Sequence, residues 1–305
     1  MCIVNASDKN TIYIYCPEGE IEIVQSLCEK HSFKVIINDY SIKNYKKKIV
    51  CHYKSSDLSE NDQFYLVQAI KYGASVEPLV SYLDSILKYT EVELLHSGYF
   101  LHQKSFSILS KRSKQMNKRI LDIICAVILF MITWPIALIA AIAIKLESPG
   151  TVFYKQKRTG QFNKEFFVYK FRSMRNDAEK NGAQWASKND ARVTRVGKFI
   201  RKTRIDELPQ IINIFKSEMS IVGPRPEREV FISELEKEIP FYRFRHAVKP
   251  GVTGLAQVSY PYGASTEDAI WKHKYDIYYI KHHTFMNDIK ILINTVTVVI
   301  FGMGQ

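Results

Sequence analysis

Residues 120–144 read ILDIICAVILFMITWPIALIAAIAI, 25 residues with Asp122 as their only charge and no glycine. A helix of that length reaches roughly 37 Å, enough to cross the hydrocarbon core of a bilayer. The competing reading is a buried core helix, but so long and continuous an apolar run favours membrane insertion. Pro135 lies past its middle, where it removes a helix hydrogen bond and clashes with the preceding turn, so a kink is predicted there. Lys104, Lys111, Arg112, Lys114, Lys118 and Arg119 precede the run, and Lys145, Lys155, Lys157 and Arg158 follow it. Both flanks thus carry the cytoplasmic signature. A broken, re-entrant helix that enters and leaves on one face satisfies both flanks, whereas a simple span satisfies one.

On the N-terminal side, residues 11–95 alternate short strands and helices: TIYIYC, EIEIVQSLCEKH, FKVIIND, KKIVCHY, DQFYLVQAIKYG and PLVSYLDSILKYT. That order predicts a small α/β layer on a mostly parallel sheet over residues 1–100. The turn after the first strand is Pro17, Glu18 and Gly19, without the glycine-rich loop that brings backbone amides to a pyrophosphate, so a scaffold or regulatory role is expected rather than nucleotide binding. Residues 101–117 read as a basic linker helix. Residues 118–305 form one mainly helical domain that includes the apolar run; its remainder, residues 146–305, is polar and ends in an apolar tail, DIKILINTVTVVIF, suited to an interface or a core.

The formal charge of +12 is concentrated: residues 101–210 hold 22 Lys/Arg against 8 Asp/Glu. Such a block suits an anionic partner, whether nucleic acid, lipid surface or phosphorylated substrate. The five cysteines, Cys2, Cys16, Cys28, Cys51 and Cys125, lack a C-x-x-C pair and a histidine at zinc spacing, which predicts free thiols in a reducing compartment. MCIVNASDKNTIYIYC has no basic n-region before an apolar core, so no cleavable signal is expected and the N-terminal part is placed in the cytosol.

FIRKTRIDELPQIINIF supplies the candidate chemistry. Asp206 reads as a helix cap, with Pro209 inside the first turn and Ile211, Ile212 and Phe215 as an apolar stripe. A cap is all an isolated Asp-Glu pair usually means. Here Arg192, Arg195, Lys198, Arg201, Lys202 and Arg204 crowd the preceding fifteen residues, and a helix N-terminus attracts phosphate. Two carboxylates in that setting suit a phosphate and metal site, one attacking phosphorus and the other holding a hard cation such as Mg²⁺. Downstream, Arg225 stands between Pro224 and Pro226, on a stiffened backbone.

Taken in order, SPGTVFYKQKRTG, FFVYKFRSMRNDAE, DARVTRVGKFIRKTRIDELPQIINIFKSEMSIVGPRPE and VKPGVTGLAQV resemble the bacterial polyprenol-phosphate phosphoglycosyl transferases, the monotopic bacterial sugar transferase family, across residues 117–305. The resemblance implies a membrane enzyme with a re-entrant helix broken at Pro135 and an active site on the cytosolic face of the bacterial inner membrane. It implies transfer of a sugar 1-phosphate from a UDP-sugar to polyprenyl (undecaprenyl) phosphate, the first membrane step of exopolysaccharide or glycoconjugate synthesis, by a ping-pong route. Asp206 matches the aspartate that becomes covalently phosphorylated, Glu207 the Mg²⁺-associated glutamate, and Arg201 a phosphate-engaging arginine. Pro224, Arg225 and Pro226 match a triplet linked to uridine. Lys170 and Arg172, in the FFVYKFRSM motif, join the substrate-binding set, and Asp288 in FMNDIK matches a further acidic position of less defined role. The expected partners are the UDP-sugar, the polyprenyl phosphate, membrane lipids and a second copy in a homodimer, with no nucleic acid.

Two departures from the family pattern stand out. Trp134 replaces the serine common before the kink proline, which assigns kink geometry to Thr133. YPYGASTED, residues 260–268, replaces a common Asn-Gly-Arg stretch, as in exopolysaccharide-associated members, and puts sugar choice in this loop. Residues 1–100 are similar to the Rossmann-like region that larger members place after four transmembrane helices. Two other readings compete: a non-catalytic, membrane-tethered protein whose basic region binds anionic lipid or nucleic acid would be indifferent to loss of Asp206 or Glu207, and a phosphohydrolase using the same aspartate would yield free sugar phosphate.

Overall fold

The computed structural model describes residues 11–41, 48–101, 106–178, 190–261, 263 and 265–300. The chain divides into two compact units, Met1–His102 and Gln103–Gln305.

The first unit is a four-stranded, all-parallel sheet in the order β2-β1-β3-β4, with β1 Ile12–Tyr15, β2 Val35–Ile37, β3 Ile49–His52 and β4 Ser75–Pro78. The runs IYIY, VII and IVCH are rich in β-branched and aromatic residues, which suit a pleated, covered surface. Helices α1 Ile21–Lys30, α2 Glu60–Lys71, α3 Leu79–Leu87 and α4 Ser97–Leu101 complete the unit. In α1, Val24, Leu27 and Cys28 recur at helical spacing and are buried. In α2, Ser59 and Asp62 cap the first turn reciprocally. Strand β4 was not legible beforehand because SVEP has a single β-favouring residue. At the carboxyl end of β1, the rings of Tyr15, Tyr40 and Tyr65 lie 5.2 to 5.6 Å apart, so the crevice where such sheets hold ligands is packed with tyrosine. Cys16, Cys28, Cys51 and Cys125 are free thiols; Cys2 lies outside the described residues.

The second unit begins with α5 Ser107–Ser110 and the 36-residue α6 Arg112–Glu147. Residues 112–117, read above as linker, therefore continue directly into the apolar run. An antiparallel hairpin follows, β5 Phe153–Thr159 and β6 Glu165–Phe171. Then come α7 Arg195–Lys202, a 3₁₀ turn Ile205–Gln210, α8 Ile211–Phe215, β7 Ser220–Val222, α9 Glu229–Glu238, a 3₁₀ turn Tyr242–Ala247, β8 Gly251–Thr253, α10 Leu255–Ser259, α11 Thr266–Lys281 and α12 Phe285–Ile300. Strands β7 and β8 pair in parallel. Glycine makes this pairing possible, because a Cβ at Gly251 would stand 2.1 Å from the Gly223 nitrogen.

Helix α6 is fastened at both ends to this same unit. Near its start, Lys118 bonds Asp288 at 2.9 Å, and Arg119 donates to the carbonyls of Ile214 and Phe215 at 2.6 and 3.1 Å. Asp122 accepts from the Ser220 hydroxyl and the Ile221 amide at 2.7 and 2.9 Å. The one charge in the apolar run is thus a buried, satisfied anchor. Near its end, Ala140 and Ile144 pack against Phe171 and Ile200, and Glu147 accepts from the Arg195 and Val196 amides at the start of α7. Between the anchors, apart from buried Ala126, much of the helix is bare: Met131, Ile132, Trp134 and Ile139 are each more than half exposed. With only 11% of its most apolar window buried, the core-helix reading fails. Thr133 donates to the Leu129 carbonyl at 2.7 Å, four residues back. The carbonyl freed by Pro135 belongs to residue 131, so Thr133 does not serve it; its bond is of the i−4 kind that itself bends helices.

Candidate functional site

The carboxylate pair lies in the 3₁₀ turn Ile205–Gln210, with Asp206 and Glu207 both buried. The expected helix start at Asp206 is corrected here. Arg204, in a left-handed conformation at φ 58°, occupies the cap position, Asp206 lies inside the turn, and a regular helix begins only at Ile211. Pro209 has no N–H for an α-helical bond to Ile205, which favours the tighter winding. Helix α8 has five residues, too short for its end to be an anion site, so the positive charge here is that of cationic side chains. The expected stripe also shifts: Ile211 and Ile214 are buried, whereas Ile212 and Phe215 are exposed.

Glu207 Oε1 is 3.1 Å from Lys170 Nζ and 3.0 Å from an Arg225 guanidinium nitrogen. Strand alternation delivers Lys170, which faces the same side as its cross-strand partner Tyr154, with Gln156 and Arg158 at period two along β5. Asn213, fully buried, fixes β6 beside α8 by donating to the Phe167 carbonyl at 2.7 Å and accepting from the Tyr169 amide at 3.1 Å. The two cations hold Glu207 well below the usual carboxylate range despite its burial. Asp206 is pushed up to about 6 by burial and then by the adjacent Glu207 charge, against the pull of Lys170, Arg201 and Arg204. Burial lowers the Lys170 ammonium. Two like charges driven apart in this way, one ionised and one poised, are a recurrent device of catalytic pairs.

Around them opens a cleft of about 600 Å³, lined by eleven Lys/Arg and three Asp/Glu side chains. Arg201, in the last turn of α7, reaches its wall together with Arg204, Arg175 and Arg192. Arg225 reaches it too, but its flanking prolines do not: Pro224 and Pro226 are buried, and their carbonyls accept from the Gly251 amide at 2.9 Å and from Arg158 at 3.2 Å. They frame the loop and present Arg225. Tyr260, Pro261 and Gly263 of the departing loop border the cleft; Tyr262 and Ala264 lie outside the described residues.

Arg172 is part of the cleft lining and also bonds back to the chain, whereas Asp288, the acidic position of less defined role, is not in that lining. The Arg172 guanidinium donates to the carbonyls of Ser148 and Pro149, each at 2.8 Å, and to the Ser148 hydroxyl at 2.9 Å. It closes the end of α6, its donors satisfied by the chain's own oxygens. Asp288 is fully buried among Lys118, Tyr279 and His283 at 2.9, 2.9 and 3.0 Å. That knot joins the starts of α6 and α12, away from the cleft lining.

Arg245 and Asn213 went unnoticed in the sequence, and Arg158 was read only as part of a basic flank. Arg245 is almost wholly buried, pairs with Asp276 at 2.7 Å, and donates to Tyr242 Oη at 2.6 Å and to the Arg225 carbonyl at 3.2 Å. No local motif marks it. Among the described residues no group of three or more His, Cys, Asp and Glu could hold a metal unaided. Two adjacent carboxylates that repel each other beside a cationic wall do fit Mg²⁺, which takes one or two carboxylates and completes its shell with phosphate and water oxygens.

The bacterial sugar transferase family model matches residues 113–302. The chain is 46% identical over 205 residues to a UDP-N-acetylgalactosamine-undecaprenyl-phosphate N-acetylgalactosaminephosphotransferase of Aeromonas hydrophila, covering 67% of this chain and 48% of that protein. It is 45% identical over 181 residues to a UDP-glucose:undecaprenyl-phosphate glucose-1-phosphate transferase of Xanthomonas campestris pv. campestris, covering 58% and 37%. A Klebsiella pneumoniae protein of the same name as the latter is 33% identical over 278 residues, 84% of this chain and 58% of its own length. The chain thus spans less than half the length of the first two relatives. With the match extending from the first residues of α6 through α12, the chain belongs to the bacterial sugar transferase family.

Proposed function

We propose that this protein transfers a sugar 1-phosphate from a UDP-sugar to polyprenyl phosphate at the cytosolic face of the bacterial inner membrane. The observation that carries the reading is the buried Asp206–Glu207 pair in a cationic cleft of the unit that also holds the bare apolar helix. In the first step an Asp206 carboxylate oxygen attacks the sugar-bearing phosphorus, and the phosphoanhydride bond breaks with its electrons leaving on UMP. In the second, a phosphate oxygen of the lipid attacks the aspartyl-phosphosugar; the Asp206–phosphorus bond breaks, and polyprenyl diphosphate sugar is released. Arg201, Lys170 and Arg225 neutralise charge on the phosphoryl oxygens in a water-poor setting. Glu207, with Asp206 beside it, would hold Mg²⁺, which supplies Lewis-acid stabilisation of the diphosphate.

Re-entry of α6 is part of the reading. A straight crossing separates the two helix ends by the bilayer, yet Asp122 and Glu147 both bond one polar unit, which supports entry and exit on the same face. Basic residues at both flanks suit anionic headgroups there, and the acceptor phosphate lies at that level.

The test is incubation of purified protein with labelled UDP-sugar and Mg²⁺ in the absence of acceptor. UMP release with a labelled Asp206 adduct supports the reading, and an Asp206→Asn variant as reactive as the parent overturns it. A panel of UDP-sugars in the same assay identifies the donor.

A further inference from the structure

Helix α2 of the first unit is apolar on two sides. Leu66 packs with Tyr15, Val50 and Leu58, and Ala69 with Tyr65 and Val76. On the side away from the sheet, Phe64 and Val67 are 64% and 59% exposed, and Ile70 and Tyr72 beside them are also more than half exposed. A helix that is apolar all round is normally covered all round.

The exposed side has an order of its own. Glu60, Phe64, Val67 and Lys71 follow one another at intervals of four, three and four residues, the spacing of a seam between two helices, and all four are exposed. The series is anion, apolar, apolar, cation, arranged evenly about a midpoint between Tyr65 and Leu66. Two copies of α2 laid antiparallel across a two-fold axis at that midpoint therefore match. Phe64 meets the partner's Val67, Glu60 meets the partner's Lys71, and each contact occurs twice. Within one helix Glu60 and Lys71 are about 16 Å apart and cannot satisfy each other. An anionic lipid surface suits the stripe poorly, because Asp57, Glu60 and Asp62 gather at the start of α2.

We infer that α2 is a docking surface for a second copy of this chain, which binds through its own α2 in antiparallel register. Charge complementarity commits the occupant, since the stripe is complementary to itself. The first unit, whose ligand crevice is filled by tyrosine, thereby acquires a role in assembly. One helix pair falls short of the ~1,200 Å² of a stable interface, so the association is weak and follows concentration.

Sedimentation velocity of the full chain in detergent, over a range of concentrations, tests the pairing. Glu60→Lys and Lys71→Glu each set like charges across the seam twice. Each should raise the dimer dissociation constant at least about tenfold, because like charges brought together at an interface are strongly disfavoured. The double variant carrying both substitutions restores opposite charges and should dimerise more tightly than either single one. Fraying of α2 gives the reverse order: both substitutions oppose the helix dipole, so the double variant would be the weakest. A double variant no tighter than the single ones overturns the pairing, as does a parent monomeric up to about 100 μM, beyond the micromolar range reached by weak interfaces. Self-association that neither single reversal alters also overturns it, and leaves the stripe to a different protein.

Discussion

Arg245 holds the carbonyl of Arg225 at 3.2 Å from a guanidinium that is itself paired with Asp276 at 2.7 Å. One buried arginine thereby sets the backbone that points a second arginine at Glu207. Arg158 does the same one residue on, at the Pro226 carbonyl.

Arg245→Lys keeps the charge but loses the planar fork that reaches Tyr242, Asp276 and the loop at once. The expected outcome is a rise in KM for the UDP-sugar and a fall of about tenfold in kcat/KM, the effect of about 1.4 kcal/mol. Asp276→Asn leaves a buried cation without its counter-charge and should also lower stability, by about 3–5 kcal/mol. Initial rates of UMP release and thermal melts separate the two effects.

Glu207→Gln removes the charge that Lys170 and Arg225 share and a ligand proposed for Mg²⁺. Loss of one such electrostatic element typically costs about 10²–10³ in rate. We expect that loss together with a raised Mg²⁺ requirement, read from rates across a Mg²⁺ titration. A rate independent of Glu207 at every Mg²⁺ concentration would contradict the role.

What could be read from the chain beforehand follows the range of the interaction. The apolar run of α6, the parallel strands of the first unit and the clustering of Asp206 and Glu207 with cations are local patterns, set by composition and period. The 3₁₀ winding at Pro209 was partly local and was missed because a proline early in a helix reads as a start. The bonds of Arg172 were hidden for a different reason: its motif shows only a cation, and the folded chain alone brings the Ser148 and Pro149 carbonyls to it. Arg245 and Asp276, like Asp122 and Ser220, are paired across sequence distances that no periodicity encodes.

Gly197 offers a test of how Arg201 is positioned. A Cβ there would stand 1.9 Å from the Ser173 carbonyl oxygen, a backbone atom that cannot swing aside. Gly197→Ala should push α7 away from the segment after β6 and carry Arg201 with it. Overpacking of this kind costs about 1–3 kcal/mol. The variant should melt earlier and bind UDP-sugar more weakly, whereas a substitution at exposed Lys198 should do neither.

Acid sensitivity has a specific source in α11. His273 is completely buried, donates from Nε2 to the Pro240 carbonyl at 3.2 Å and packs against Tyr242. Burial, and then the neighbouring Arg245 charge, push its imidazole down from 6.5 to about 3. Between those values the unfolded chain binds a proton that the folded chain refuses, so stability falls as pH drops from about 6.5 toward about 3. His273→Gln retains an amide able to donate to Pro240 and has nothing to titrate. It should lose less stability than the parent between pH 7 and pH 5 (values chosen on the order of the window above), whichever of the two is more stable at neutral pH. Asp276, pushed up to about 6 by burial, acts in the opposite direction in both proteins and drops out of the comparison. Melting temperatures measured across that range decide it, and parallel curves for parent and variant would show that His273 is not the group responsible.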